Sequence, residues 1–196
     1  AGLEVVRTAE LDNPEYVSNP PNRCYFCKAE LFASMERIAA ERGFRTLAYG
    51  ENADDARQVR PGVRAAVEFA VRAPLKEAGL TKAEIRLHSR ALGLPTADAP
   101  AQPCLSSRVP HGTPVTVEAL ALIERAEAFV RELGFRVFRV RHLIEPGGAG
   151  LPSARVLVEP SELARLQAMA AEVERGLSRL GYGAVHLDPE GYRAAG

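Results

Sequence analysis

Apolar residues in the first half of the chain follow both strand-like and helix-like spacing. Two short apolar runs predict strands, and the stretch between them repeats apolar residues at helical intervals up to Gly43, which is placed to end the helix. The residues from Thr81 to Glu84 form a capping box that opens a later helix. The predicted elements are strands at 3–8 and 45–49 and helices at 27–42, 63–71 and 81–92.

The pattern restarts after a proline-rich segment at 94–115. The predicted elements beyond it are a helix at 117–133, strands at 135–143 and 154–159, a helix at 161–180 and a strand at 184–188. Strands that alternate with helices in the first half indicate a parallel, doubly wound sheet, although two strands are too few to complete one. We therefore predict an α/β fold, with a partial doubly wound sheet in residues 1–103 and a smaller α+β domain in residues 104–196.

Charge and composition exclude several classes of partner. Lys and Arg total 25, and so do Asp and Glu, which gives a formal net charge of zero. A neutral chain has no basic field that would gather nucleic acid or an anionic membrane surface. No apolar run approaches the roughly 20 residues that span a bilayer. The expected partner is therefore a small molecule rather than a membrane or a nucleic acid.

Three cysteines, Cys24, Cys27 and Cys104, are candidates for covalent or metal chemistry. Their odd number, without a secretory signal, indicates a reducing compartment and hence the cytoplasm. Cys24 and Cys27 form a CxxC pair at a predicted helix start, where the helix dipole favours thiolates. The spacing leaves open inert thiols, a redox pair, a partial zinc site, a three-thiolate [4Fe–4S] site, or a nucleophile at Cys104.

Polar residues that follow the second predicted strand are candidates for nucleotide binding. Asn52, Asp54 and Asp55 lie at the carboxyl end of that strand, where open α/β folds bind their ligands. The amide can bond a ribose or a base, and the carboxylates can hold magnesium on phosphates. Arg60 follows them and can pair with an anion. An ordinary acidic turn gives the same sequence, so the pattern alone does not decide.

A second set of charged candidates lies in the second half of the chain. Arg108 closely follows the third cysteine and can favour its thiolate. Arg139 and Arg141 are two residues apart, which predicts that both lie on one strand face. Glu127 is predicted on the polar side of its helix, where a glutamate is exposed by default. The four histidines form no catalytic grouping, and we predict that they are structural.

Several segments of the chain share their pattern with one known family. The most specific is CLSSRVPHGTPVT, within the longer matching stretch at 92–116. The others are NPPNRCYFCKAELF (19–32), YGENADD (49–55), RPGVRAA (60–66), APLKEAGLTKAEIR (73–86) and FRVRHL (138–143). Together they resemble the LarE-type ATP-dependent sacrificial sulfur transferases, which are N-type ATP pyrophosphatases of the PP-loop superfamily. The resemblance covers nearly the whole chain.

The resemblance implies sulfur transfer in the synthesis of the nickel-pincer nucleotide cofactor. The implied substrate is pyridinium-3,5-biscarboxylic acid mononucleotide, and ATP with magnesium adenylates one of its carboxylates. Cys104 matches the sacrificial cysteine, which gives its sulfur to the product and is left as dehydroalanine. Arg139 and Arg141 match arginines that bind the substrate phosphate, and Glu127 matches an acidic residue near that cysteine. The family also implies a homo-oligomer.

Other mechanisms stay open beside this one. The resemblance extends to a variant in which Cys24, Cys27 and Cys104 hold a [4Fe–4S] cluster with a labile sulfide, so that transfer is catalytic. One rival function is a tRNA thiolase of the same superfamily, although the neutral charge argues against RNA binding. Another is a truncated, non-catalytic module that binds a nucleotide or a metal. The base for the elimination step is not identified.

The sequence departs from the family pattern in two places. The turn at 144–152 is lengthened, and Leu157 stands where the family has a glutamate, with Glu159 two residues further along the same strand face. The PP-loop motif SGGxDS, whose amides cradle pyrophosphate, is absent. Because the chain also begins without methionine, we expect that an N-terminal segment of a longer protein is missing, and that ATP turnover fails without it.

Overall fold

The computed structural model describes residues 2–57, 61–144 and 150–192. The chain divides into two units, Ala1–Ala99 and Pro100–Gly196. The helices are α1 (Pro14–Val17), α2 (Arg23–Arg42), α3 (Pro61–Glu68), α4 (Pro74–Glu77), α5 (Lys82–Ala91), α6 (Val117–Glu132), α7 (Leu163–Ala168) and α8 (Ala170–Leu180). The strands are β1 (Phe138–Leu143), β2 (Ser153–Val158) and β3 (Ala184–Leu187). Short 3-10 turns lie at Glu10–Asp12, Ala53–Arg57, Leu105–Arg108 and Pro160–Glu162.

The first unit is built on α2 and α3, which pack against each other. Its buried core consists of Phe32, Ala65, Ala66 and Val71. Gly62 permits the close approach of the two helices, because a Cβ here would lie 2.7 Å from the Lys28 side chain and 3.3 Å from the Cys24 carbonyl oxygen. The core of this unit is therefore small and depends on one helix–helix contact.

The strand predicted at 3–8 is wrong. Leu3 and Val5 are 93% and 88% exposed, and the segment joins no sheet among the described residues. An ion pair between Glu4 and Arg42 holds it against the end of α2 instead. A strand needs a partner for its backbone N–H and C=O groups, and the described part of this unit supplies none to residues 3–8.

The strand predicted at 45–49 is reduced to one parallel bridge between Ala48 and Arg72. The Arg72 amide donates to the Leu47 carbonyl at 2.9 Å, and the Tyr49 amide donates to the Arg72 carbonyl at 3.0 Å. Among the described residues of the first unit, this bridge is the only strand pairing. The doubly wound sheet predicted there is therefore not formed by these residues, since one bridge lacks the strands that such a sheet needs.

Helix ends in the first unit follow local sequence signals. Thr81 and Glu84 form the predicted capping box: the Glu84 amide donates to Thr81 Oγ1 at 3.3 Å, and the Thr81 amide donates to Glu84 Oε2 at 2.9 Å. Gly43 ends α2 with a φ of 72°, the left-handed conformation that glycine adopts without strain. Both predictions are confirmed.

The second unit contains a three-stranded sheet in the order β1-β2-β3. β1 pairs with β2 in antiparallel fashion, and β2 pairs with β3 in parallel. α6 packs against β1 and α8. The buried core consists of Ala126, Val130, Phe135, Phe138, Val140, Ala154, Val156, Val158, Leu166, Val173, Leu177 and Tyr182. The predicted small α+β arrangement is thus present, and its core is larger than that of the first unit.

Two details of the second unit differ from the sequence-based expectation. The helix predicted at 161–180 is interrupted at Met169, between α7 and α8. The strand predicted at 135–143 begins at Phe138. No helix among the described residues is long and apolar enough to cross a membrane.

Candidate active site around Cys104

Cys104 is an exposed, free cysteine immediately before the 3-10 turn Leu105–Arg108. Its backbone is held by three hydrogen bonds to its carbonyl oxygen. Ser107 donates two of them, from its amide at 3.0 Å and from its hydroxyl at 2.7 Å. Arg108 Nη1 donates the third at 3.1 Å and also bonds the Pro103 carbonyl at 2.8 Å. Cys104 is therefore exposed to solvent, while hydrogen bonds fix its backbone.

A buried ion pair fixes this turn to the rest of the unit. Arg108 Nε donates to Glu127 Oε1 at 2.7 Å, and Arg108 Nη2 donates to Glu127 Oε2 at 2.9 Å. The Val140 amide of β1 donates to Glu127 Oε1 at 3.1 Å. Both side chains are buried, at 4% and 7% exposure. One carboxylate thus joins the Cys104 turn, α6 and β1, in the bidentate geometry that makes arginine–carboxylate pairs strong.

The prediction of an exposed Glu127 is wrong. Residue 127 lies four positions after Ile123 and three before Val130, and both of these are fully buried. This helical spacing places it on the apolar stripe rather than the polar face. The signal was present in the sequence, but its partner, Arg108, is 19 residues away and outside the helix. The pairing could therefore not be read from the helical pattern.

A cleft of about 430 Å³, here called the Cys104 cleft, opens beside the thiol. This volume is in the range of about 300–1,000 Å³ that is usual for small-molecule sites. Residues with chemistry that line it are Cys104, Arg108, Glu124, Glu127, Arg131, Arg136 and Arg139. The structure therefore brings four of the predicted site residues into one cleft, and it adds Arg131 and Arg136, which the sequence interpretation missed.

Arg139 is held in place from several sides. Its Nη2 donates to the Ala101 carbonyl at 2.8 Å and to the Tyr192 hydroxyl at 3.0 Å, and its guanidinium lies 4.4 Å from the centre of the Tyr192 ring. A smaller cleft of about 200 Å³ is lined by Arg139, Arg141 and Tyr192. Arg141 is exposed on the same strand and lines this smaller cleft but not the Cys104 cleft. Arg139 therefore borders both cavities.

The predicted nucleotide residues of the first unit take part in local capping. The Asn52 Oδ1 atom accepts hydrogen bonds from the amides of Asp54 at 2.9 Å and Asp55 at 3.2 Å. Asp54 Oδ2 accepts from the Lys82 amide at 2.8 Å and so caps α5. These capping bonds account for the polar residues at these positions. Nucleotide binding by the same residues stays a prediction. Arg60 lies outside the described residues.

Cys24 and Cys27 lie in the first turns of α2, as the CxxC prediction requires. Cys24 is exposed and Cys27 is half-buried, and neither forms a disulfide among the described residues. Within the described ranges, no group of three or more His, Cys, Asp or Glu side chains is arranged to hold a metal ion. Cys24 and Cys27 belong to the first unit and Cys104 to the second. The three-cysteine cluster stays a prediction.

His142, one of the four histidines predicted to be structural, is buried against an aromatic ring. It is buried on β1, with its ring 5.8 Å from the Tyr182 ring in an edge-on arrangement. Burial lowers its pKa below the ordinary value. This residue packs in the core and does not line either cleft described above.

Two known proteins are similar in sequence to this chain over nearly its whole length. The uncharacterized protein slr1717 of Synechocystis is 41% identical over 193 residues, which are 97% of this chain and 69% of that protein. Pyridinium-3,5-bisthiocarboxylic acid mononucleotide synthase of Lactiplantibacillus plantarum is 31% identical over 184 residues, 94% of this chain and 64% of that enzyme. No protein-family model matches the chain.

The identity and coverage define the family. The chain belongs to the same family as slr1717, because the two are 41% identical over most of both sequences. The similarity to the Lactiplantibacillus enzyme supports, at the level of the family, the LarE-like resemblance that the sequence motifs indicate. The chain spans less than two thirds of that enzyme, 64% of its length.

Proposed function

We propose that this chain carries the sulfur-transfer site of an ATP-dependent enzyme, with pyridinium-3,5-biscarboxylic acid mononucleotide as substrate. The observation that carries the proposal is the exposed Cys104 thiol on a fixed turn, beside a cleft lined by arginines. The similarity to a synthase whose name contains the corresponding bisthiocarboxylic acid mononucleotide supports this substrate class.

The proposed reaction has two stages. In the first, ATP adenylates a substrate carboxylate and pyrophosphate leaves. The Cys104 thiolate then attacks the carbonyl carbon, a C–S bond forms, and the C–O bond to AMP breaks with its electrons on AMP. In the second, a base removes the Cα proton of Cys104. A Cα=Cβ double bond forms, the Cβ–S bond breaks with its electrons on sulfur, and the product carries a thiocarboxylate while the protein keeps dehydroalanine.

Four charged residues that line the two clefts have a proposed part in this reaction. Arg139 and Arg141 bind the substrate phosphate, since a guanidinium matches phosphate with paired N–H donors. Glu127 and Arg108 are positioning residues. They act on Cys104 through the backbone of its turn, because the Glu127 carboxylate already accepts bonds from Arg108 and from the Val140 amide.

Nucleotide binding is proposed for the first unit. Asn52, Asp54, Asp55 and Arg60 would bind ATP, and the two carboxylates would hold magnesium, which prefers oxygen ligands and neutralises phosphate charge. The carboxylates fit this role in chemistry, and they are half-exposed. The alternative mechanism assigns Cys24, Cys27 and Cys104 to a [4Fe–4S] cluster that carries the transferred sulfide.

Intact-mass spectrometry tests the proposal. The full-length protein is incubated with ATP, magnesium and the biscarboxylic mononucleotide, and the product is followed by its thiocarboxylate absorbance. We expect one turnover and a loss of about 34 Da at Cys104, the mass of one hydrogen sulfide. Cys24→Ser is the matched control and should lose the same mass, whereas Cys104→Ser should not.

The two mechanisms separate in the same experiment. Many turnovers with unchanged mass, abolished in Cys24→Ser, would support the cluster in place of the sacrificial cysteine. Product formed at the normal rate by Cys104→Ser would overturn both.

A further inference from the structure

Arg131 and Arg136 line the Cys104 cleft, and neither is among the residues that the family resemblance assigns. Both are exposed, and within the described residues neither has a carboxylate partner. An exposed arginine without a partner is ordinary on a surface. Two of them beside a reactive thiol in one cleft require a separate account.

The charges that line the cleft are unbalanced. Glu127 is fully engaged by Arg108, so this pair adds no net charge. The remaining charged lining residues are Arg131, Arg136, Arg139 and Glu124. Three cations around one cavity repel each other, and one glutamate offsets only part of that repulsion. The cleft therefore favours an anionic ligand.

The arginines enter the cleft from three separate places in the unit. Arg131 lies on α6 one turn after Glu127, and its guanidinium lies 5.7 Å from the centre of the Phe138 ring. Arg136 lies in the connection between α6 and β1. Arg139 comes from β1 and is held by Ala101 and Tyr192. The lining therefore contains two further arginines besides Arg108 and Arg139.

We propose that Arg131 and Arg136 form a second anion site, which binds a ring carboxylate of the ligand whose phosphate is bound at Arg139 and Arg141. This inference rests on the proposed function and deepens it. A planar guanidinium binds a planar carboxylate through paired hydrogen bonds, which a neutral amide cannot replace. The pair would thus select a carboxylated pyridine mononucleotide over its uncharged amide counterpart.

Calorimetric titration with two probes tests this assignment. The probes are pyridinium-3,5-biscarboxylic acid mononucleotide and nicotinamide mononucleotide, which has a phosphate but no ring carboxylate. We expect Arg131→Gln and Arg136→Gln each to weaken binding of the first probe about tenfold, the usual scale for a charged hydrogen bond. They should change binding of the second less than about twofold, the scale of ordinary surface substitutions.

Two control variants keep the outcomes apart. Arg125→Gln removes an exposed charge from the same helix outside the cleft, and it should leave both probes unaffected. Arg139→Gln should weaken both, because both carry the phosphate. Equal losses for the two probes in Arg131→Gln and Arg136→Gln, losses as large in Arg125→Gln, or no loss would overturn the second site. Failure of the unsubstituted protein to bind the biscarboxylic probe would instead overturn the proposed function.

Discussion

The two units each bury a glutamate against a cation, but they do so to different extents. In the second unit, Glu127 and Arg108 are both buried, and two hydrogen bonds join them. In the first unit, Glu51 is 5% exposed but its partner Lys76 is 33% exposed, and one bond of 2.8 Å joins them. The Tyr49 hydroxyl also donates to Glu51.

The difference in burial between the two ion pairs indicates that the second unit holds its geometry more rigidly at this point. The Arg108–Glu127 pair is buried, and Arg108 also bonds the Cys104 carbonyl oxygen and so fixes the backbone beneath the thiol. Lys76 in the Lys76–Glu51 pair is partly exposed to water. Breaking this pair therefore costs less free energy, because water can solvate the lysine ammonium group. The second unit therefore holds the backbone beneath Cys104 with a larger core and a more deeply buried ion pair.

The largest expected effect comes from Glu127→Ala. It leaves the buried Arg108 guanidinium without its carboxylate partner, which costs about 3–5 kcal/mol of unfolding free energy. Urea denaturation measures the loss, and hydrogen exchange of the β1 and β2 amides assigns it to the second unit. Glu124→Ala removes an exposed acid from the same helix and the same cleft, and it should cost less than about 0.5 kcal/mol.

A double variant separates the pair from the rest of the packing. Arg108→Met with Glu127→Met removes both charges, so the unfolding free energy should recover relative to Glu127→Ala. Slow exchange in β1 and β2 should return with it. A Glu127→Ala variant as stable as the unsubstituted protein would contradict the account of this pair.

A smaller effect is expected from Glu51→Gln in the first unit. The loss should be about 1–3 kcal/mol, the cost of a broken charged hydrogen bond, since Lys76 can turn to solvent. If this substitution destabilises the protein more than Glu127→Ala, the comparison between the units is wrong. Lys82→Gln, at the half-buried first residue of α5, is a control for loss of a charge in the same unit.

The same variant has a defined pH dependence. Burial alone would raise the pKa of Glu51, but hydrogen bonds from Lys76 and Tyr49 lower it below its ordinary value of 4.5. A lowered carboxyl pKa contributes stability above pH 4.5, and this contribution is lost as the pH falls through the folded-state pKa. Glu51→Gln should therefore reduce the loss of stability at acid pH, measured by urea midpoints between about pH 3 and pH 7.

Sequence patterns predicted the helix ends, which depend on neighbouring residues, and the strands whose partners lie in the same unit. The capping box at Thr81 and the stop at Gly43 involve only neighbouring residues, and both were predictable. The strands of the second unit were predictable because their partners lie within the same unit. The segment at 3–8 has a strand-like pattern, yet pairing is a property of two strands, and no described residue pairs with it.

In the candidate site, too, some residues were predictable from sequence motifs and others depend on tertiary packing. Cys104, Arg139 and Arg141 were identified from motifs. The Glu127–Arg108 pair and the lining position of Arg131 depend on how α6 meets the Cys104 turn, which a helical pattern does not contain. Helical spacing alone relates Arg131 to Glu127, four residues earlier on the same face.

The central claim, that the mononucleotide binds over Cys104, is tested most directly by the alkylation rates of the two exposed cysteines. Cys24 and Cys104 are both exposed and lie in different units, so each is a control for the other. With the biscarboxylic mononucleotide at ten times its Kd, iodoacetamide should modify Cys104 about tenfold more slowly, in proportion to the unoccupied fraction. The rate at Cys24 should not change. Equal slowing at both cysteines, or no slowing at Cys104, would contradict the account.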